Sequence, residues 1–167
     1  MRKQMAEAAQ APEDLLRLDN QVCFAIVTAA RNVVALYRPI LEPLGLTHPQ
    51  YLVMLALWEQ APRSLGDLAG ELAMEPATLS PMIKRLEAQG LVVRARTQAD
   101  ERVLAIDLTD AGRALRADAL GVPAAVMKAV GTDVEGLIAL REALSPFSGR
   151  RQDTPRANPE DHVGGHS

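Results

Sequence analysis

The residues with the most specific chemistry are one cysteine, Cys23, and two polar aromatic residues further along the chain, Tyr37 and His48. Cys23 falls about one turn into a predicted helix, where unpaired amides and the helix dipole favour a thiolate. The hydroxyl of Tyr37 or the imidazole of His48 would favour the thiolate further if either lay nearby. A peroxide oxidises a thiolate to a sulfenic acid, which a small thiol then caps or which is oxidised further when the chain has no second cysteine. These three residues are therefore candidates for a redox-sensing site.

The same residues have simpler interpretations. A single cysteine on an apolar helix stripe is commonly a buried, unreactive hydrophobic residue. Tyr37 can be an aromatic residue of a core or interface, and His48 an exposed residue in the first turn of a helix. If His48 were cationic near the thiolate, the response would depend on pH, a hypothesis that the pH profile of thiol alkylation in a His48→Tyr variant would test.

A second set of side chains suits contact with DNA. A helix predicted to begin at Pro76 presents hydroxyls and cations off its apolar face, and a predicted hairpin of two strands, 91–96 and 103–108, follows it. The candidate DNA contacts are Thr78, Ser80, Lys84, Arg85, Arg94, Arg96 and Arg102. Asp100, at the hairpin tip, can hold Arg102 in position through an ion pair. Solvated helix faces and strand edges also carry such charges, but a helix followed directly by a basic ribbon is what a winged helix-turn-helix offers to the DNA grooves.

Local signals predict the helices that position these residues. Asp19 or Asn20 can cap the first helix, whose apolar stripe is long enough to indicate either packing across a dimer or a long core helix. The stripe consists of Val22, Ile26, Ala29, Ala30, Val33 and Tyr37. Thr47 and Gln50 have the spacing of a capping box for the next helix, and its residues Leu52, Leu55 and Leu57 are expected to be buried. Ser64 begins a short helix, and a tight turn then leads to the helix at Pro76, which ends at Gly90, where a left-handed residue is usual. Thr109 and Asp110 can cap a further helix after the hairpin.

Length and composition limit the functional classes. The chain has 167 residues, of which 48% are apolar and 3% aromatic, which suits one mostly helical main domain. The net charge of -3 argues against a protein that coats DNA without sequence preference. From Pro76 to Arg102, however, five cations face three anions, a local surplus that a symmetric dimer would double. One cysteine allows neither an intrachain disulfide nor a zinc motif, and we expect no metal and no cofactor.

The sequence also predicts a location and a domain organisation. No apolar run follows Arg2 and Lys3, so we expect no signal peptide, and the apolar runs look too short to cross a bilayer. A cytoplasmic protein without a membrane partner is expected. The predicted segments are a flexible N-terminus at 1–13, an N-terminal dimerisation helix at 14–46, a winged helix-turn-helix DNA-binding domain at 47–109, C-terminal dimerisation helices at 110–144 and a disordered tail at 145–167.

Several motifs resemble a known family. Asp100-Glu101-Arg102, followed by Leu108-Thr109 and Gly112, is similar to the wing signature of the MarR family of bacterial transcription regulators. The helix from Leu79 to Leu91 resembles that family's recognition helix. The segments 18–25, 37–39 and 41–47 resemble the organic-hydroperoxide-resistance repressors within the family. The resemblance covers roughly residues 18–120.

The resemblance implies a mostly α-helical fold with a small β wing, and a homodimer formed by the N- and C-terminal helices. It implies a repressor that binds an inverted-repeat operator and releases it when an organic hydroperoxide oxidises the cysteine that matches Cys23. In that branch, tyrosine hydroxyls contributed across the dimer contact the thiolate; Tyr37 matches one of them, and His48 stands where the other is expected. The chain resembles the members that have one cysteine, whose oxidised product a small thiol can cap.

The sequence thus predicts a DNA-binding repressor that senses organic hydroperoxides and needs no enzymatic turnover. One alternative is a MarR-type regulator released by a small aromatic or anionic ligand, with Cys23 inert. An alternative from another class is a thiol peroxidase, against which the wing and the basic helix argue.

Overall fold

The computed structural model describes residues 14–96 and 104–148. The α-helices among these residues are α1 (Val22–Leu41), α2 (His48–Glu59), α3 (Leu65–Glu71), α4 (Pro76–Ala88), α5 (Asp110–Ala119), α6 (Val122–Val130) and α7 (Val134–Leu144). The strands are β1 (Arg63–Ser64), β2 (Val92–Arg96) and β3 (Leu104–Leu108). Short 3-10 turns occupy Asp14–Leu16, Leu18–Asn20, Glu42–Leu44 and Ser145–Phe147. The predicted fold class, mostly α with a small β wing, is confirmed.

Three of the predicted helix starts are confirmed by their capping hydrogen bonds. Thr47 and Gln50 form the complete capping box of α2, in which each side chain bonds the backbone N–H of the other residue. Ser64 caps α3 by accepting from the N–H of Asp67, and Thr109 caps α5 by accepting from the N–H of Gly112. Each cap pairs a backbone donor that would otherwise lack a partner at a helix N-terminus.

The start of α1 differs from the prediction. Neither Asp19 nor Asn20 caps it, because Leu18–Asn20 forms a separate 3-10 turn and the capping position falls to Gln21. Cys23 is therefore the second residue of α1 and lies within its first turn. The apolar stripe of α1 is largely exposed on the single chain, as Val22 and Val33 illustrate. Leu55, expected to be buried in α2, is also exposed, whereas Leu57 is buried.

The composition of α1 corrects another prediction. Together with the following 3-10 turn it forms a helical span, Val22–Leu44, of 23 residues with a mean hydropathy of 1.3, long and apolar enough to cross a bilayer. The expectation that no apolar stretch reaches that length was wrong, because Arg31 and Arg38 are the only charged residues within Val22–Leu41 and the apolar runs on either side of them join into one long helix. The end of this helix nevertheless belongs to the protein core: Leu41 is fully buried, and Leu36 and Ile40 pack against the core.

The helix-turn-helix consists of α3, a tight turn and α4. Ala73 in the turn has a left-handed backbone (φ 52°), and the next residue, Met74, donates its N–H to the carbonyl of Ala69 at 2.9 Å. The apolar face of α4 lies inward, with Leu79, Ile83 and Leu86 fully buried. Gly90 follows α4 with φ 73°, the left-handed position that the sequence predicted.

The sheet has the antiparallel order β1–β3–β2. The predicted hairpin is present, with Val92 opposite Leu108 and Arg96 opposite Leu104, and its tip at 97–103 lies outside the described residues. Strand β1 was not predicted; Arg63 pairs opposite Ile106, and its side chain forms an ion pair with Glu71 of α3. The hairpin base is thereby attached to the helix-turn-helix.

The chain divides into two compact units, one ending at Val130 and the other beginning at Gly131. The buried apolar core lies in the first unit and draws on α1 to α6 and on the sheet. In the second unit, Asp133 caps α7 by accepting from the N–H of Gly136, and α7 buries none of its residues. Its exposed apolar side chains include Val134, Ile138 and Leu140. The segment boundaries predicted at 46, 109 and 144 remain predictions.

Candidate sensor site and DNA-binding surface

Cys23 is exposed at the N-terminal end of α1. The first intrahelical bond at this end is donated by the N–H of Ala25 to the carbonyl of Gln21, so the N–H groups of Val22, Cys23 and Phe24 precede the bonded ladder. The side chain of Gln21 makes no capping bond to them. Within the part of the chain that the structure describes, no capping bond to these amides is seen, so they and the positive end of the helix dipole lie at the thiol.

Tyr37 and His48 lie together at the junction of α1 and α2. Their ring centroids are 4.7 Å apart in an edge-to-face arrangement, and Tyr37 also lies 6.1 Å from Tyr51. Tyr51 in turn contacts Trp58 at 6.4 Å. The two tyrosines and the single tryptophan of the chain thus form one continuous row.

Burial changes the acid–base properties of this junction. It raises the pKa of Tyr37, so the phenol stays protonated and can donate a hydrogen bond. Desolvation also lowers the pKa of His48 below its usual range, so the imidazole is mainly neutral at pH 7 in the single chain. A cationic His48 beside the thiolate stays a prediction, and burial in the single chain opposes the charged form.

A single chain does not bring the three candidate sensor residues together. Cys23 and Tyr37 occupy the same unbroken helix, and a rise of 1.5 Å per residue separates them by about 21 Å. Tyr37 and His48 are adjacent, but both lie at the opposite end of α1 from the thiol. Any contact between Cys23 and these two residues therefore requires a second chain.

The candidate DNA contacts on α4 occupy its outer side. Thr78, Lys84 and Arg85 are exposed, and Ser80 is half-buried. The first turn of α4 is free of acidic residues, and it begins with Pro76. A helix with an exposed row of one hydroxyl and two cations, supported by a buried leucine and isoleucine face, has the form required to enter a major groove.

Arg94 is held within the protein. Its Nε lies 3.5 Å from a carboxylate oxygen of Glu87, and its guanidinium also donates to the carbonyl of Ser80 at 3.4 Å. The backbone N–H of Arg94 donates to Glu87 as well, at 3.4 Å. Arg94 therefore joins the wing strand β2 to α4 and orients the two relative to each other. Arg96 ends β2, while Arg102 and Asp100 lie outside the described residues.

A cleft of about 320 Å³ lies between α2, α5 and the start of α6. Its lining combines apolar and aromatic side chains with one cation and one anion: Tyr51, Leu55, Trp58, Glu59, Arg116, Ala119, Leu120 and Pro123. The volume is at the lower end of the range for small-molecule sites. The indole N–H of Trp58 donates to the carbonyl of Gly112 at 2.8 Å, which fixes one wall.

Sequence reasoning missed the polar contacts that join distant segments. The Arg94–Glu87 pair and a hydrogen bond between Gln50 and Gln89 link residues on different elements. Gln50 was recognised only as a capping residue, although its burial would suggest a second role. Long-range pairs of this kind have no local signal in a single sequence.

Comparison with known proteins identifies the family. Residues 35–118 match the family model described as transcriptional regulator SarA/Rot, which covers half of the chain. The chain is 37% identical over 131 residues to the organic hydroperoxide resistance transcriptional regulator of Bacillus subtilis, covering 78% of this chain and 89% of that protein. The chain belongs to the MarR family of winged-helix transcription regulators. A second relative, the HTH-type transcriptional regulator TtmR of Methylorubrum extorquens, is 41% identical over 133 residues, covering 80% of this chain and 68% of that protein.

Solved structures of MarR-type regulators have the same fold. Reduced AbfR bound to DNA matches with a TM-score of 0.66 and 34% identity over 82% of this chain and 96% of that one. Overoxidized AbfR bound to DNA matches with a TM-score of 0.65, at the same identity, over 82% of this chain and 97% of that one. CouR of Rhodococcus jostii bound to p-coumaroyl-CoA matches with a TM-score of 0.71 and 26% identity over 83% of this chain and 99% of that one. Family members therefore include one known in two oxidation states and one known with a bound ligand.

Proposed function

We propose that this MarR-family protein is a cytoplasmic, homodimeric repressor that releases its operator when an organic hydroperoxide oxidises Cys23. The observation that carries the proposal is the position of the single cysteine, exposed in the first turn of α1 where unpaired amides favour an anion. The similarity to an organic hydroperoxide resistance regulator supports the choice of oxidant. No catalytic turnover is required.

The reaction is a two-electron oxidation of sulfur. The Cys23 thiolate attacks the outer oxygen of the hydroperoxide, an S–O bond forms, and the O–O bond breaks. The peroxide is reduced to an alkoxide, which takes a proton from water and leaves as an alcohol, while Cys23 becomes a sulfenic acid. Because the chain has no second cysteine, a small thiol then condenses with the sulfenic acid, forming a mixed disulfide and releasing water.

The site would be completed by a second chain. The exposed apolar residues of α1, including Val22, Phe24 and Val33, offer a surface that a partner can bury. A symmetric arrangement can bring Tyr37 and His48 of one chain to Cys23 of the other, with Tyr37 donating a hydrogen bond to the thiolate. A mixed disulfide at such a junction would add bulk where two helices pack, and interiors tolerate added volume poorly.

DNA recognition would use both chains. Thr78, Lys84 and Arg85 on α4 would contact bases and phosphates in the major groove, with Ser80 near the same edge. Arg96 and Arg102 of the wing would contact the backbone or the minor groove, and Asp100 would hold Arg102 in place. A two-fold dimer presents two such surfaces and therefore matches an inverted repeat.

The decisive experiment measures binding to the upstream promoter region of the protein's own gene, for wild type and Cys23→Ser. Each is tested reduced, after one equivalent of cumene hydroperoxide, and after peroxide with a small thiol. We expect peroxide to release wild type but not Cys23→Ser, and a reductant to restore binding. The small-thiol arm is needed because AbfR has been solved on DNA in an overoxidized form, so oxidation without a cap is tested separately. Equal behaviour of both proteins would exclude Cys23 as the sensor.

A second candidate function rests on the cleft beside Trp58. Its aromatic wall and Arg116 suit a small aromatic anion, and CouR provides a family example with a bound ligand. In that case operator release would follow addition of an aromatic carboxylate, would persist in Cys23→Ser, and would be lost in Arg116→Gln.

A further inference from the structure

Gln89, the residue that caps the C-terminal end of α4, forms hydrogen bonds with the junction of α1 and α2. Its amide Nε2 donates to the carbonyl of Gly45 at 3.0 Å, and its Oε1 accepts from Nε2 of Gln50 at 3.3 Å. We propose that Gln89 is a positioning residue that transmits the state of the sensor junction to α4. This inference rests on the proposed function, because it needs Cys23 oxidation to act on that junction.

Gln50 is suited to carry a displacement because both ends of its amide are engaged. Its Oε1 accepts from the backbone N–H of Thr47 at 2.9 Å and from the Thr47 hydroxyl at 3.1 Å, while its Nε2 reaches Gln89. Only 5% of Gln50 is exposed. A buried amide with engaged donor and acceptor groups resists reorientation, since a lost partner leaves an unsatisfied polar group.

The contacts of the junction lead directly to the proposed sensor. Thr47 immediately precedes His48, whose ring meets Tyr37. Gly45 closes the preceding 3-10 turn with φ 67° and accepts from Gln89 through its carbonyl. The turn from Gly45 to Thr47 is thus held by Gln89 at one end and by Gln50 at the other. A shift of Tyr37 or His48 therefore moves the groups that hold the C-terminal end of α4.

The apolar packing between α2 and α4 does not fix the orientation of α4 as the hydrogen bonds of Gln50 and Gln89 do. Both α2 and α4 contribute buried residues, such as Met54, Leu57 and Leu86, to the same apolar core, and such packing is non-directional. Hydrogen bonds weaken steeply when their angles change. The Gln50–Gln89–Gly45 contacts, which we call the glutamine clamp, consequently fix the orientation of the helix end.

A second polar attachment of α4 provides a natural comparison. Glu87 and Arg94 join the same helix to the wing and do not involve the α1–α2 junction. Loss of the Glu87–Arg94 pair is expected to weaken operator binding by similar factors in the reduced and oxidised proteins. Loss of the glutamine clamp is expected to change mainly the ratio of operator affinities between the reduced and oxidised proteins.

The test uses the full-length chain with Gln89→Met, which keeps side-chain length and removes both hydrogen bonds. Gln60→Met, at the exposed end of α2, is the matched control, and Glu87→Gln is the wing-side comparison. Operator affinity is measured for the reduced protein and after cumene hydroperoxide with a small thiol. Allosteric coupling of ordinary size corresponds to a loss of about 5- to 150-fold in wild type. We expect reduced Gln89→Met to bind the operator nearly as well as wild type, and to lose most of the decrease in affinity that oxidation causes. Gln60→Met should keep that decrease.

Two results would overturn the inference. One is a full oxidative response in Gln89→Met, and the other is an equal weakening of its reduced and oxidised forms, which would indicate a purely structural role. If wild type itself does not respond to peroxide, the proposed function fails first and the inference fails with it. Urea unfolding of the reduced Gln50→Met, Gln89→Met and double variants tests the Gln50–Gln89 contact independently of oxidation and of operator binding. A direct contact predicts non-additive effects of at least about twofold in the unfolding equilibrium. Additive effects would show that Gln50 and Gln89 are not coupled and would contradict the glutamine clamp.

Discussion

The ring of Tyr37 meets the imidazole of His48 edge to face, with the two centroids 4.7 Å apart. This contact joins the last part of α1 to the first residue of α2. It creates a partly desolvated polar pair at a position far from the cysteine of the same chain.

The buried environment of His48 predicts a specific dependence of stability on pH. Because its pKa is lowered in the folded chain, the unfolded chain binds more protons between the folded pKa and about 6.5. The free energy of unfolding should therefore be fully retained above about pH 6.5 and fall as the pH is lowered. His48→Gln should show a smaller decrease between pH 7 and pH 5 in urea unfolding. Identical slopes for the two proteins would mean that His48 titrates normally in solution.

The exposed face of α1 predicts that self-association depends on its apolar residues. Val33 is 40% exposed on α1, and Val93, 44% exposed on β2, is a matched control outside that helix. Val33→Asp would place an unpaired charge in the proposed interface and should weaken dimerisation by about tenfold or more. Val93→Asp should leave it unchanged. Sedimentation equilibrium distinguishes the two, and a dimer that survives Val33→Asp would have its interface elsewhere.

The cations of α4 predict a change in the salt dependence of operator binding. If Lys84 and Arg85 each neutralise a phosphate, Lys84→Gln or Arg85→Gln should reduce the slope of log affinity against log salt by about 0.9 per site. Arg94 is paired with Glu87, so Arg94→Gln and Glu87→Gln should weaken binding to similar extents through the wing position. Fluorescence anisotropy over a salt series measures both effects. A slope unaffected by the Lys84 and Arg85 changes would assign DNA contact to other residues.

The close approach at Gly112 predicts a large effect from one methyl group. A Cβ at Gly112 would collide with the backbone carbonyl oxygen of Leu91, and the carbonyl of Gly112 also accepts from Trp58. Gly112→Ala should reduce the free energy of unfolding by about 1–3 kcal/mol. Gly70→Ala, in a helix with open space around the added carbon, should be neutral or stabilising. Urea unfolding of both variants provides the comparison, and equal stability would indicate that α5 shifts freely.

Much of the fold follows from local signals in the sequence. The caps at Thr47, Ser64 and Thr109 and the left-handed Gly90 each depend on residues a few positions apart, and all four are present. Strand β1 was missed because two residues carry no periodic pattern and pair only with a distant strand.

The limits of the prediction are clearest at the candidate sensor site. Leu55 was expected to be buried because it is apolar, yet it is exposed, since apolar residues also cover part of every protein surface. The pairing of Tyr37 with His48 depends on how α1 packs on α2, which sequence spacing does not specify. The protonation of His48 likewise depends on its burial, which lowers its pKa and which residue type alone does not reveal.

The unbroken length of α1 also has a genetic consequence. Since Cys23 and Tyr37 are about 21 Å apart on one helix, an intact sensor would combine the thiol of one gene product with the phenol of another. A cell expressing both a Cys23→Ser allele and a Tyr37→Phe allele would assemble heterodimers with one complete sensor and one lacking both groups. Two alleles that respond poorly alone would then complement each other, and a reporter strain carrying both would regain part of the induction by peroxide.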